Sequence, residues 1–213
     1  MSFSENTEKP KDPALRQLVD FYDPLIQGAD NKGRKLAEIL DWDDRRLERT
    51  HNFIQVLFPL PDYSRFNGDA PILDKETCIY FRQHPGLQDS LKQSLKRMLS
   101  FYGFTIEWEP NGEVRMQVSQ LLQGRNKGLS RWLKPLNHNH LRITRIIRSL
   151  RVLGLAEEAE VVYQNLAKVC KVNEKKVEVV GFKYWTGAAK NPLHYAPNGM
   201  QIEWLEELDQ DSS

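Results

Sequence analysis

The sequence predicts a mainly α-helical protein, with about seven to nine helices in one domain and one small β-hairpin near residues 104–118. Apolar residues recur at intervals of three and four along most of the chain, which is the period of an amphipathic helix. Prolines, glycines and capping aspartates interrupt this pattern at the ends of the apolar stretches. Residues 104–118 change to the alternating period of a β-strand. A composition of 40% hydrophobic and 28% charged residues is ordinary for a globular domain of this size.

The first two helices are predicted from their caps and breaks. Residues 1–11 are polar and are expected to form a disordered lead. Asp12 can cap a helix that starts at Pro13 and ends before Pro24. A short second helix is expected over residues 35–40.

The clearest apolar stripe lies between Asp43 and Pro59 and predicts one continuous helix. Its members are Leu47, Thr50, His51, Ile54, Leu57 and Phe58. His51 would lie on the apolar side with Gln55 one turn further on, so both polar groups would need hydrogen-bond partners in a buried place. One interpretation is a polar network that fixes helix packing, and the other is the polar floor of a binding pocket. No second histidine stands four residues away, so no metal site is predicted.

Two longer helices and the hairpin fill the middle of the chain. Asp74 can cap a helix that runs to about His84, and a long helix from Leu87 should end at Gly103. The hairpin is predicted from the alternating residues on both sides of the turn at 110–112.

Helices resume in the second half of the chain. They are predicted over residues 119–122, 129–133, 139–153 and 155–169, and from Asn173 to Tyr184. Asn137 or Asn139 can start the third of these, and His138 and His140 belong to the same capping segment rather than to a metal site. The helical domain is therefore expected over residues 12–186, followed by an irregular acidic tail over 187–213.

Several classes of protein are excluded by what the sequence lacks. Cys78 and Cys170 form no CxxC pair and are too few for a disulfide framework, which favours a reducing compartment. The polar N-terminus has no signal-peptide pattern, and no apolar run is long enough to span a membrane. Nucleophile-elbow, P-loop and dinucleotide-binding motifs are also missing. We therefore expect a soluble, intracellular, non-catalytic protein without cofactors.

Charge is unevenly distributed although the net charge is only +1. Between Glu113 and Glu157 the sequence has no acidic residue and nine basic ones. Five acidic residues (Glu203, Glu206, Glu207, Asp209 and Asp211) follow near the C-terminus. The basic stretch predicts either a face solvated and paired within the protein, or a site for nucleic acid or another anion for which the acidic tail competes.

A series of short motifs runs in order along the chain. The first four are Phe21-Tyr22 (FY), Trp42-Asp43-Asp44 (W-x-D), Leu47-Glu48 with His51 (LE-x-x-H), and Phe53–Leu60 (IQ-W-LFP, with Val56 in the place of the tryptophan). The next two are Phe66-Asn67 with Ala70-Pro71 and Leu73 (N-x-x-A-P-L), and Ser100–Phe104 (M-L-x-F-Y-G-F). The most specific is His138–Leu150, which is similar to HN-Y-LRITRIL-x-SL with His140 replacing tyrosine. Together these motifs resemble the conserved region of the opioid growth factor receptor family.

The resemblance implies a helical, non-catalytic domain that binds a ligand or partner. Vertebrate members are named for binding an enkephalin peptide and are nuclear-associated, which implies a peptide or protein partner and a cytoplasmic location, with the nucleus as a second one. A protein that binds nucleic acid or anions through the basic stretch at 115–151 is one alternative, and an enzyme of unfamiliar type is another. The oligomeric state is left open.

Nine side chains are candidates for these roles. The candidate ligand-binding residues are His51, Gln55, Trp42, Arg142 and Arg145. The candidate anion-binding residues are Arg131, Lys134, Arg148 and Arg151. No residue is assigned a catalytic or metal-binding role.

Overall fold

The protein is described by a computed structural model over residues 8–63, 68–119, 127–174, 179–197 and 199–210. Within these ranges it forms ten α-helices and one two-stranded antiparallel sheet, so the predicted mainly helical class with a small hairpin is confirmed. The chain divides into two compact units, Met1–Leu91 and Lys92–Ser213. No helix in the described ranges is long and apolar enough to cross a membrane.

The first unit contains five short helices and the beginning of a sixth. They are α1 Pro13–Tyr22, α2 Leu36–Leu40, α3 Asp44–Arg49, α4 Ile54–Leu57, α5 Lys75–Gln83 and α6 Pro85–Tyr102. The predicted caps are present, since Asp12 accepts the main-chain N–H groups of Ala14 and Leu15, and Asp74 accepts that of Thr77. Tyr22 in the core donates its hydroxyl to the main-chain oxygen of Leu57.

The prediction of one continuous helix between Asp43 and Pro59 is wrong. The chain leaves the helical conformation at Thr50, which has φ −90° and ψ 130°, and re-enters it at Ile54. Threonine and asparagine have low propensity for helix interiors, because their side chains form hydrogen bonds with nearby main-chain groups. Arg34 holds the break by donating to both the side-chain oxygen (2.9 Å) and the main-chain oxygen (3.2 Å) of Asn52.

The second unit contains the rest of α6, the hairpin and four further helices. They are β1 Phe104–Trp108, β2 Val114–Val118, α7 Asn139–Val152, α8 Ala156–Asn173, α9 Phe182–Lys190 and α10 Leu205–Gln210. The strands pair from Phe104 opposite Val118 to Trp108 opposite Val114. Gly103 ends α6 with a φ of +91°, a conformation that favours glycine.

Two tryptophans lie at the centre of the second unit. Trp132 and Trp185 are both completely buried, and their ring centroids are 5.6 Å apart. Each indole N–H has a main-chain partner, Tyr102 for Trp132 and His140 for Trp185. These bonds tie the C-terminus of α6, the start of α7 and α9 together, because buried indole N–H groups require an acceptor.

Several element boundaries in the second unit differ from the predicted ones. Asn173 is the last residue of α8 instead of a cap, and the next helix starts at Phe182 after Gly181. The predicted helix at 129–133 is a short 3-10 turn, Leu129–Arg131, whereas most of the predicted 119–122 helix lies outside the described residues.

The C-terminal stretch is also less irregular than predicted. The helix α9 continues to Lys190, and α10 buries Leu205 and Leu208. A two-residue apolar pattern in an acidic segment is too short to be recognised from periodicity alone.

Candidate functional site

A cleft of about 540 Å³ lies at the connection between α2 and α3 in the first unit. It is lined by Arg34, Glu38, Asp41, Trp42, Asp43 and Arg46. Such a volume falls within the range of roughly 300–1,000 Å³ that is usual for small-ligand sites. Of the nine candidate residues, the cleft contains only Trp42.

The sequence Asp41–Arg46 builds this cleft locally. Asp43 caps α3 by accepting the main-chain N–H of Arg46, which starts the helix directly after Trp42. The Trp42 side chain is 6% exposed and packs edge-on against Phe53, with 5.6 Å between the ring centroids. Trp42 is therefore a fixed apolar wall around which charged side chains are arranged.

Two guanidinium groups lie over the Trp42 ring. Their central carbons are 5.6 Å (Arg34) and 4.1 Å (Arg46) from the ring centroid, which is the distance of a cation–π interaction. Arg34 is anchored from below by Asp30, a buried carboxylate that accepts its Nη2 at 2.6 Å and its Nε at 2.8 Å. Arg46 is exposed to solvent.

Carboxylates complete the lining of the cleft. Glu38 accepts the main-chain N–H of Lys35 and Asp43 that of Arg46, so both also serve as helix caps. Asp41 is exposed. Positive and negative groups around one aromatic ring suit the binding of a polar ligand that carries both charges.

Sequence reasoning missed most of this site. The signal was present in the run Asp41-Trp42-Asp43-Asp44-Arg45-Arg46, in which all five residues beside the tryptophan are charged. The sequence could not indicate that Arg34 belongs to this site, because Arg34 comes close to the other residues only in the folded chain.

His51 and Gln55 do not form a common pocket floor. His51 lies in the break between α3 and α4 and is exposed, so the expected burial of this side chain is wrong. Gln55 is 3% exposed in α4, and its Oε1 accepts no hydrogen bond from the described residues. The separation follows from the helix break, which removes the one-turn relationship between them.

Two arginines of the basic stretch are buried in α7. Arg142 and Arg148 are buried, at 5% and 2% exposure. Arg142 donates to the side-chain oxygen of Asn139, and Arg148 donates to the main-chain oxygens of Leu193 (3.1 Å) and Tyr195 (3.2 Å). These guanidinium groups hold the fold together and do not point to an external anion.

Some of the other basic candidates also bind groups within the protein, and others do not. Arg131 donates to the main-chain oxygen of Phe101 at 2.6 Å, and Arg151 donates to those of Ala188 and Asn191. Arg151 also lies 4.0 Å from the carboxylate of Asp209, a residue of the acidic segment. Arg145 is half-buried and Lys134 is exposed. The anion-binding role of these residues stays a prediction.

Neither cysteine is suited to nucleophilic chemistry. Burial raises the pKa of Cys78 to about 12 and that of Cys170 to about 11, so both are protonated thiols at neutral pH. Among the residues that the structure describes, no three histidine, cysteine, aspartate or glutamate side chains are placed to hold a metal ion.

Comparison with known proteins agrees with the motifs. The family model of the opioid growth factor receptor (OGFr) conserved region matches residues 18–195. The opioid growth factor receptor of Homo sapiens is 35% identical over 143 residues, which are 64% of this chain and 20% of that protein.

Two further relatives give similar values. The receptor of Rattus norvegicus is 36% identical over 126 residues (58% of this chain, 20% of that protein). Opioid growth factor receptor-like protein 1 of Xenopus tropicalis is 34% identical over 125 residues (57% and 23%). The chain thus spans about a fifth of the length of these relatives, and no solved structure matches it. Because the family model covers most of the sequence, the chain belongs to the OGFr conserved-region family.

Proposed function

We propose that this domain is a non-catalytic peptide-binding module and that its ligand occupies the cleft at Trp42. The observation that carries the proposal is the arrangement of Arg34, Arg46 and three carboxylates around one buried tryptophan. The buried ring holds the two guanidinium groups in place, and charges of both signs orient a ligand. The cysteine thiols, protonated at neutral pH, lend no support to nucleophilic catalysis.

The names of the relatives suggest which peptide to test first. They are called receptors for the opioid growth factor, and the family is named for binding an enkephalin peptide. We therefore propose an opioid-type peptide as the ligand class of this chain. We expect modest affinity, because a flexible peptide loses the freedom of many rotatable bonds when it binds in an open cleft.

The proposal is tested by titrating an enkephalin peptide into the full chain and into two matched variants, Trp42→Phe and Trp108→Phe. Trp42 lines the cleft, whereas Trp108 belongs to β1 in the second unit and donates to Glu158. We expect Trp42→Phe to weaken binding roughly tenfold, because it loses the larger ring on which the arginines lie. Trp108→Phe should bind as the wild type does.

The same titration, followed by the indole N–H signals in NMR spectra, locates the ligand. The signal of Trp42 should shift on addition of the peptide. Shifts confined to Trp132 or Trp185, or equal loss of affinity in both variants, would place the site elsewhere, and a lack of binding to the wild type would refute the proposed function for this ligand class.

A further inference from the structure

Arg46 and Arg34 share one tryptophan but differ in what else they contact. Arg34 has a side chain that is 15% exposed and is held by Asp30 and Asn52. Arg46 is exposed, and its hydrogen bond to Asp43 uses the main-chain N–H, not the guanidinium. In the part of the chain that the structure describes, the Arg46 guanidinium forms no ion pair with a carboxylate. It contacts the ring of Trp42.

This difference suggests separate tasks for the two residues. Four of the five guanidinium N–H groups of Arg34 are bound to Asp30 and Asn52, so this residue mainly supports the wall of the cleft. Arg46 lines the cleft, and the contact of its guanidinium with the Trp42 ring restricts the motion of the group. A guanidinium that is pre-oriented in this way loses less entropy when it binds a planar anion through two parallel hydrogen bonds.

We infer that the ligand of this cleft carries a free carboxylate and that Arg46 binds it. The inference rests on the proposed function, because it assigns the ligand chemistry of the same cleft. A carboxylate matches the paired N–H donors of a guanidinium in spacing and in charge. The C-terminal carboxylate of an unmodified peptide supplies such a group.

The acidic lining restricts the ligand further. Glu38 and Asp43 use carboxylate oxygens to cap helices, and Asp41 is an exposed carboxylate in the connection between those helices. A ligand with only negative charges would be repelled by these three groups. A zwitterion avoids this cost, because its ammonium group can lie near Asp41 while its carboxylate binds Arg46. The geometry therefore favours a short peptide with both ends free over an acidic polymer.

The experiment is a comparison of two forms of one enkephalin peptide, the free acid and the C-terminal amide, by calorimetry at low salt. Each is titrated into the wild-type chain, into Arg46→Gln and into Arg49→Gln. Arg49 is the matched control because it is also an exposed arginine on α3 but does not line the cleft. Circular dichroism spectra of the variants establish that the helices are retained.

We expect the wild type and Arg49→Gln to bind the acid roughly tenfold more tightly than the amide, as one charge-assisted contact predicts. Arg46→Gln should bind the two forms equally. If the wild type binds both forms with equal affinity, the carboxylate inference is overturned while the proposed function stands. If Arg46→Gln keeps the full preference, Arg46 is not the group that reads the carboxylate. If neither form binds the wild type, the proposed function fails and the inference fails with it.

Discussion

Arg148, at 2% exposure in α7, donates a hydrogen bond of 3.1 Å to the main-chain oxygen of Leu193. A second bond from the same nitrogen reaches the main-chain oxygen of Tyr195, and Arg151 one turn later donates to those of Ala188 and Asn191. The two arginines thus hold the stretch from the end of α9 to Tyr195 against α7. Buried main-chain oxygens outside regular helices and strands need hydrogen-bond donors of this kind.

The replacement Arg148→Met is predicted to destabilise the protein by about 2–4 kcal/mol. It keeps the apolar stem of the side chain but leaves two carbonyl groups without their donor. Lys168→Met is the matched control, because Lys168 is exposed on α8 and surface changes usually stay within about 0.5 kcal/mol. Urea unfolding measures both free energies of unfolding. Equal midpoints for the two variants would show that the bonds of Arg148 contribute nothing to stability.

Local features of this fold were predictable from the sequence because their causes are local. The caps Asp12 and Asp74, the glycine that ends α6 and the hairpin depend on residues within a few positions. The burial of Arg148 depends on carbonyl groups 45 and 47 positions away. An arginine on the polar side of a helix therefore gives the same sequence pattern whether it faces water or another part of the chain.

The candidate site shows the same division. Trp42 was identified because the motif that contains it is short and contiguous. His51 was misplaced because one unfavourable stretch, Thr50–Phe53, ended a helix that the apolar stripe favoured. Arg34 enters the cleft through bonds to Asp30 and Asn52 that no periodicity indicates.

The buried His140 is predicted to make stability depend on pH. Burial lowers the pKa of His140, and the opposing effect of the hydrogen bond from Nε2 to the main-chain oxygen of Trp132 (2.7 Å) offsets only part of this. The unfolded chain, with a histidine pKa of about 6.5, therefore takes up a proton before the folded chain does. Above the pKa of the unfolded chain, the contribution of neutral His140 to the free energy of unfolding is complete. It is lost as the pH falls from this value through the lower pKa of the folded chain.

The variant His140→Gln isolates this effect, since a glutamine amide can supply an N–H donor near the position of Nε2 and does not titrate. Melting temperatures are compared at about pH 7.5 and about pH 5.5, on either side of the unfolded pKa. We expect the decrease towards acid pH to be smaller in His140→Gln than in the wild type. An identical decrease in both proteins would mean that other groups cause the whole pH dependence.

Gly181 and Gly187 are predicted to respond in opposite directions to replacement by alanine. A Cβ atom on Gly181 would lie 2.5 Å from the Cβ and 2.9 Å from the Nδ1 of His140, far inside van der Waals contact. Its φ of −65° suits alanine, so the cost comes from this crowding alone and should be about 1–3 kcal/mol. In Gly187, within α9, the nearest atom to a new Cβ is the Nδ2 of Asn191 at 3.5 Å, which leaves room.

Because alanine restricts the unfolded chain and favours the helix, Gly187→Ala should stabilise the protein by about 0.5–1 kcal/mol. Both free energies are measured by urea unfolding of the full chain, and each variant controls for the other, since the two glycines lie at the start and in the interior of one helix. Destabilisation by Gly187→Ala would contradict the free space beside it. An unchanged stability of Gly181→Ala would show that α9 can move away from His140 at no cost, and hence that the contact between the start of α7 and α9 is looser than the buried packing of Trp185 implies.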